Sequence, residues 1–248
     1  MKLIEATLSF LWRFWFLLTF AIPFLLLLPI TIFLTFSERF YPVLYFFLHR
    51  TSKFMMYASG IIPKIKKEHP LDPKVQYLFI SNHSSTLDIP MMFFLSKKPI
   101  SFMGKSSLAK LPIFGYYYKR FNVLVNRASL RNSYQAFEQA GIKIKSGQNM
   151  VIYPEGGIVK TDTRLAKFKN GPFRLAVEQN VSIIPITFAD NKCIFPESYF
   201  KGFPKRARVT IHKPIDNCST MKMEELKEKV YTIIEQELIQ YENRSNPH

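Results

Sequence analysis

From Leu8 to Phe36 the chain is almost unbroken apolar sequence, interrupted only by Arg13 and a few hydroxyl side chains. A run of this kind has few physical options. At about 1.5 Å per residue a helix over it matches a hydrocarbon core roughly 30 Å thick, so the segment is expected to be a membrane element. A secretory signal peptide would carry an apolar region of about 7–15 residues ending at a small-residue cleavage site, and this pattern does not show one. Pro23 and Pro29 remove backbone donors inside the run, which leaves a straight span and a bent, one-leaflet hairpin both open.

A second stretch, from Phe40 to Ile62, mixes bulky apolar residues with His49, Arg50 and Lys53. Helical spacing gathers these three basic groups on one side, the pattern of a helix lying among lipid headgroups; an ordinary amphipathic core helix is the competing reading. Arg39, Arg50, Lys53, Lys64, Lys66 and Lys67 all follow the apolar run, whereas only Lys2 and Arg13 stand before it or near its start. That asymmetry places the remainder of the chain on the cytoplasmic side, in a bacterium at the inner membrane. We therefore divide the chain into membrane-anchoring helices over 1–62 and a separate globular domain over 63–248.

Charge narrows the class of partner. Lys and Arg outnumber Asp and Glu 34 to 18, and an excess of +16 calls for a polyanion: nucleic acid, an anionic membrane or a phosphorylated substrate. With 24 Phe and 12 Tyr the chain is too rich in bulky apolar groups for a solvated nucleic-acid module, so anionic membrane lipid is expected instead. Residues 1–60 hold five Lys or Arg and two Asp or Glu, leaving +13 on the rest, which should sit well on anionic lipid. Cys193 and Cys218 lack metal-ligand spacing, so neither zinc nor a disulfide has support and the compartment reads as reducing.

After a charged linker punctuated by Pro63, Pro70 and Pro73, short apolar runs alternate with helical patterns. Strands are expected at 75–81, 150–153, 183–188 and 207–211, the third demoted to an edge or bulge by Pro185. Helices are expected where Leu130, Tyr134, Phe137, Gly141 and Ile144 recur, over 171–179, and where Leu226, Val230, Ile233 and Leu238 form a stripe. The alternation predicts an α/β domain with a mixed sheet flanked by helices.

Two turns carry candidate chemistry. Ser81-Asn82-His83-Ser84-Ser85-Thr86-Leu87-Asp88 follows the first strand, so that Asp88, at the mouth of a helix, can hold one nitrogen of His83 and free the other as a base. A structural His–Asp turn fits the same spacing. Tyr153-Pro154-Glu155-Gly156-Gly157 also follows a strand, and its glycines let backbone N–H groups approach an anion, with Lys160, Arg164, Lys167 and Lys169 close behind. A plain glycine turn before a solvated basic loop is the alternative. Between them Lys105 opens a block that ends in an apolar strand and Arg127, a residue suited to bidentate phosphate contact or to an ordinary salt bridge.

In this order the blocks resemble the lysophosphatidic acid acyltransferases, also called 1-acyl-glycerol-3-phosphate acyltransferases. That family has an NHxxxxD block, a block ending in a strand and Arg, a PEGT-R block, and a strand containing Pro. Here they correspond to Asn82 to Asp88, Lys105 to Arg127, Pro154 to Gly157, and Val181 to Phe188 with Pro185. Two positions depart from the pattern: Gly157-Ile158 stands where Thr-Arg is usual, and Asn126 stands where Asp is common. Lys160 or Arg164 is then expected to supply the missing charge.

The resemblance implies a glycerol-phosphate-acyltransferase-like domain that moves an acyl group from acyl-CoA or acyl carrier protein to the sn-2 hydroxyl of a lysophospholipid acceptor. His83 would be the base and Asp88 its orienting partner, with Asn82, Lys105, Arg127, Glu155, Gly156, Gly157, Lys160 and Arg164 around the substrates. No metal or cofactor is implied beyond the thioester co-substrate. A GxSxG elbow does not occur and the cysteines lie outside the blocks, which favours direct transfer over an acyl-enzyme. The same dyad could serve another acceptor, such as a hydroxylated acyl-amino-acid lipid, or activate water in an esterase. A non-catalytic protein holding anionic membrane is the reading from a different class.

Overall fold

Seven segments among the described residues are strands: β1 (Ile62–Lys67), β2 (Tyr77–Ser81), β3 (Ile100–Lys105), β4 (Val123–Val125), β5 (Asn149–Ile152), β6 (Ser182–Phe188) and β7 (Arg206–Ile211). The computed structural model describes residues 2–126, 130–160 and 162–245. Across the sheet the strands run β1-β7-β6-β2-β5-β3-β4. Pairing is parallel except between β6 and β7, so β1 and β7 oppose the other five and the sheet is mixed, as the alternating pattern predicts. Helices α1 (Lys2–Leu34), α2 (Tyr41–Ala58), α3 (Asp88–Leu95), α4 (Phe114–Phe121), α5 (Leu130–Lys145), α6 (Gly171–Gln179), α7 (Asn191–Ile194) and α8 (Met223–Ser245) complete it.

The central strands read as continuous apolar runs because both their faces are covered. Every residue of β2 and β5 is buried. Strand alternation then sorts their side chains between two cores: Tyr77, Phe79 and Val151 join α1, α2 and α3, while Leu78, Ile80, Met150 and Ile152 join α5, α6 and α8. Of the stripe expected on α8, Leu226, Val230 and Leu238 are buried, but Ile234 rather than Ile233 is the fourth member.

Three expectations change. Pro63 is not in a linker: it belongs to β1, an edge strand, where a missing donor is tolerated. The expected division between residues 62 and 63 therefore falls inside a strand. Pro185 lies in β6, an interior strand, where its carbonyl accepts the His212 N–H at 3.0 Å just beyond the last β6–β7 pair, Ile186 with Ile211. The absent N–H faces the place where the ladder ends. Finally, the segment from Phe40 to Ile62 narrows to a helix over Tyr41–Ala58 that packs one face, with Leu44, Tyr45, Met55 and Met56 in the core of the sheet domain and His49 Nδ1 2.9 Å from the Phe93 carbonyl, and leaves Val43, Phe46, Arg50, Phe54 and Tyr57 exposed on the other.

α1 runs through Pro23 and Pro29 as one helix, so the hairpin is not formed. Its buried stripe is largely polar and faces the domain: Ser9, Arg13, Phe16, Thr19, Thr31 and Leu34, continued by Thr35 just past the helix. Near one end the Arg13 guanidinium donates from Nε to the Lys201 carbonyl at 2.9 Å and from Nη2 to the Pro196 carbonyl, and lies 4.1 Å from the Phe195 ring centroid. At the other end the Thr31 and Thr35 hydroxyls meet those of Tyr117 and Tyr116 at 2.8 and 2.7 Å. The Trp12 and Trp15 indoles donate to the Ser59 and Ala58 carbonyls, both at 2.8 Å. Leu3, Leu8, Phe14, Leu17, Leu25, Leu26 and Phe33 face outward.

Arg13→Met keeps an unbranched side chain of good helix propensity but leaves two carbonyls without their cation. Hydrogen bonds to charged groups contribute about 1.5–3 kcal/mol, so a stability loss of about 2 kcal/mol is expected, with faster proteolysis between residues 195 and 203. Thermal unfolding in mild detergent and limited proteolysis check it; an unchanged midpoint and cleavage rate would refute the clamp.

Candidate active site

Because β6, β2, β5, β3 and β4 are parallel, their C-terminal ends share one edge of the sheet, the place where open α/β sheets bind ligands. That edge receives the blocks singled out in the sequence: 82–88 after β2, 153–157 after β5 and Lys105 at the end of β3.

His83 and Asp88 meet there, Nδ1 to Oδ2 at 2.8 Å. Asp88 opens α3 and is fully buried at 0 % exposure, and its carboxylate is satisfied on both oxygens. Oδ2 also accepts the N–H groups of Ser84 at 2.9 Å and Ser85 at 3.0 Å, and Oδ1 accepts Asn191 Nδ2 at 2.8 Å. These bonds give the buried carboxylate a full set of donors and turn the chain tightly between His83 and Asp88. With Nδ1 occupied by a carboxylate, Nε2 is the nitrogen left for a reacting proton.

The second block supports the first. Glu155 bridges two backbone donors, His83 N to Oε1 at 2.6 Å and Ala166 N to Oε2 at 2.8 Å, and Val159 N donates to the His83 carbonyl at 3.0 Å. Burial pushes the Glu155 carboxyl up to about 7, against the opposing effect of the two N–H donors. The Tyr153 ring stacks on the His83 imidazole, with centroids 4.0 Å apart and planes 14° from parallel. Its hydroxyl is buried with no hydrogen-bond partner among the described residues, and burial raises its pKa well above the usual value for a phenol. Gly156 has φ +84°, and a Cβ there would stand 2.6 Å from the Lys169 ammonium, so the turn both needs glycine and brings Lys169 against it.

The other expected site residues divide. Asn82 is not free to bind substrate: its amide straps the turn to β6, donating to the Phe188 carbonyl at 2.9 Å and accepting the Phe188 N–H at 2.8 Å. Arg164 is drawn away from the turn by Glu242 of α8, Nη2 to Oε2 at 2.7 Å and Nε to both carboxylate oxygens. Lys105, Gly157 and Lys160 are exposed at or beside the edge. Arg127 lies outside the described residues. Sequence reasoning missed Asn191, which sits 103 positions from Asp88, and gave no role to Tyr153. The signal available for Asn191 was its place just after a strand parallel to β2. Among the described residues no three His, Cys, Asp or Glu side chains gather as a metal site requires.

Glu155 gives a signed pH dependence. Its ordinary value is 4.5 and its folded value about 7, so between these the folded state holds the proton more tightly. The stability this contributes is complete below the unfolded value and is lost as pH rises through the folded one. Glu155→Gln is expected to remove that part of the slope and, by facing an amide N–H₂ toward one backbone donor, to lower stability at neutral pH by about 1–3 kcal/mol. Urea unfolding at stepped pH for both proteins checks it; parallel pH profiles would show that this carboxyl does not titrate there.

The Acyltransferase family model matches residues 62–189, covering the sheet from β1 to β6 and both turns. Curated relatives include a 1-acyl-sn-glycerol-3-phosphate acyltransferase of Chlamydomonas reinhardtii, 28% identical over 61% of this chain and 46% of its own length. The chloroplastic enzyme of that name from Arabidopsis thaliana is 32% identical over 56% of this chain and 39% of its own length. The chain thus spans less than half the length of these two. The Borreliella burgdorferi enzyme is 25% identical over 75% of this chain and 74% of its own length. Among solved structures, the 1-acyl-sn-glycerophosphate acyltransferase PlsC of Thermotoga maritima shares the fold, with TM-score 0.80 and 20% identity over 98% of each chain. With its family model matched over more than half its length, across the sheet edge that carries the His83–Asp88 pair, this chain belongs to the Acyltransferase family.

Proposed function

We propose that the chain transfers a fatty acyl group from a thioester, acyl-CoA or acyl-acyl carrier protein, to the sn-2 hydroxyl of 1-acyl-glycerol-3-phosphate, giving phosphatidic acid. The observation that carries this reading is the bond between His83 Nδ1 and the buried Asp88 carboxylate. It leaves Nε2 to take the proton of an acceptor hydroxyl while the freed oxygen attacks the thioester carbon. The tetrahedral adduct then collapses, the C–S bond breaks, and the departing thiolate recovers the proton from the imidazolium. Asp88 stabilises that imidazolium electrostatically, and the electron-rich face of Tyr153 lies against it.

The acceptor's anionic head falls to the cations around the Glu155 turn. Ile158 occupies the usual arginine position and Arg164 is engaged by Glu242, so Lys169 takes the leading place, with Lys160 as a further candidate; Arg127 is a candidate from the sequence alone. This loss of the family arginine also favours one second reading, the same transfer to a phosphate-free hydroxylated lipid.

The membrane seat follows from α1. Its tie points at Arg13 and Thr31 are 18 residues, about 27 Å, apart along one helix. A helix fastened to one domain over nearly the width of a hydrocarbon core lies beside it instead of crossing the bilayer alone. The outward apolar face enters one leaflet, and the strongly basic domain meets the cytoplasmic headgroups.

Purified protein with labelled acyl thioester and a panel of lysolipids tests the reaction. His83→Ala is expected to lower turnover by about 10²–10⁴-fold, and Asp88→Asn to follow it by disturbing the imidazole tautomer. Lys169→Ala is expected to raise KM for the phosphate-bearing acceptor by about tenfold with little change for a phosphate-free one. Near wild-type turnover in His83→Ala would overturn the mechanism. Wild-type preference for the phosphate-free lipid would overturn the acceptor, and free fatty acid as sole product would make the chain a hydrolase.

A further inference from the structure

The loop between α7 and β7 carries large apolar side chains that the fold holds in the open. Tyr199 is 69% exposed, Phe200 62% and Phe203 37%, while Lys201, Lys205 and Arg206 beside them are exposed and only Glu197 opposes them. A loop of loose packing would account for this trivially, but this loop is fixed. Gly202 has φ +104°, and a Cβ there would stand 2.4 Å from the Ile194 carbonyl oxygen, so the backbone is packed against α7. Its carbonyls at Pro196 and Lys201 are held by Arg13 of α1, and Ile62 N donates to the Lys205 carbonyl at 3.1 Å. The aromatic tip is therefore presented by a rigid support.

We propose that this loop, residues 197–206, is a second membrane-docking element that places Tyr199, Phe200 and Phe203 in the interfacial region of an anionic bilayer, with Lys201, Lys205 and Arg206 on the headgroups. Continuity with α1 identifies the occupant. Phe200 stacks on Phe10 of α1, ring centroids 6.2 Å apart, and Phe10 is itself exposed on the helix surface. Through this contact the loop extends the apolar surface of α1 sideways, which suits a bilayer plane. Aromatic side chains with flanking basic groups are the composition that partitions at the boundary of hydrocarbon and anionic headgroups. An acidic protein partner would also meet the lysines, but it would have no use for a surface continuous with a lipid-facing helix.

The inference rests on the one-leaflet seat of α1 proposed above, and the test separates the two. In full-length protein carrying Cys193→Ser, a nitrobenzoxadiazole label is placed at Phe200→Cys, at Tyr199→Cys, and at Gln139→Cys on α5, across the sheet from α1. Each protein is bound to vesicles of equimolar phosphatidylcholine and phosphatidylglycerol, with and without doxyl-labelled acyl chains, and binding is measured independently by pelleting.

Positions 199 and 200 are expected to lose fluorescence to the quencher while 139 does not. Lys201→Glu with Lys205→Glu is expected to reduce that loss on the anionic vesicles, bringing it to the level seen on phosphatidylcholine alone. Protein that pellets with vesicles but shows no quenching at either loop position would overturn the loop proposal and leave the α1 seat standing. Failure to pellet would overturn both. A label that responds to acyl carrier protein and not to vesicles would assign the surface to that partner instead.

Discussion

A carboxylate removed from water must be surrounded by donors, because an unpaired buried charge costs far more than a small domain can offset. Asp88 meets that condition with one imidazole, two backbone N–H groups and one side-chain amide. Each donor comes at a structural cost to some other part of the chain. The backbone donors require the tight turn from Ser84 to Asp88, the imidazole must lean back over it, and Asn191 must be delivered by a strand on the other side of β2. The sheet order that puts β6 next to β2 is thus what lets this charge be buried at all.

The supporting bonds repeat the same logic. Asn82 ties the start of the turn to the end of β6, and Glu155 ties His83 to the backbone at Ala166. Neither side chain has an obvious route to substrate, since both are occupied by backbone groups. Residues that look like binding groups in a motif can therefore be the scaffold that makes the neighbouring residue reactive. A carboxyl held between two N–H donors, and pushed up to about 7 by burial, also gives the turn an internal sensitivity to proton concentration near neutrality.

The sequence made the local features legible and left the long-range ones hidden. Apolar runs and helical spacing located β2, β5, β6, β7, α5, α6 and α8, because period and burial are local properties. The His–Asp pair was readable because a turn of five residues can close it without help. Asn191 was not, because its contact depends on strand order, which no window of sequence contains. Pro185 reads as an edge or bulge residue for a related reason: proline excludes a residue from a ladder only where a neighbour needs its N–H, and the end of β7 removes that need. Arg164 reads as an anion ligand in the sequence because its partner, Glu242, lies 78 residues away on a helix whose docking no local pattern encodes.

Arg13 shows how the apolar run and the reactive turn become one object. A guanidinium in a lipid-facing helix is tolerable only when it turns inward and finds acceptors. Here the acceptors are the carbonyls of Pro196 and Lys201, and the ring of Phe195 lies under the cation. The next carbonyl back, that of Phe195, accepts the Ser85 hydroxyl at 2.6 Å, and the Ser85 N–H donates to Asp88. The apolar helix α1, the loop after α7 and the His83–Asp88 turn are joined by consecutive hydrogen bonds across a few residues. The position of His83 relative to α1 is consequently set by the same contacts that satisfy the buried charges.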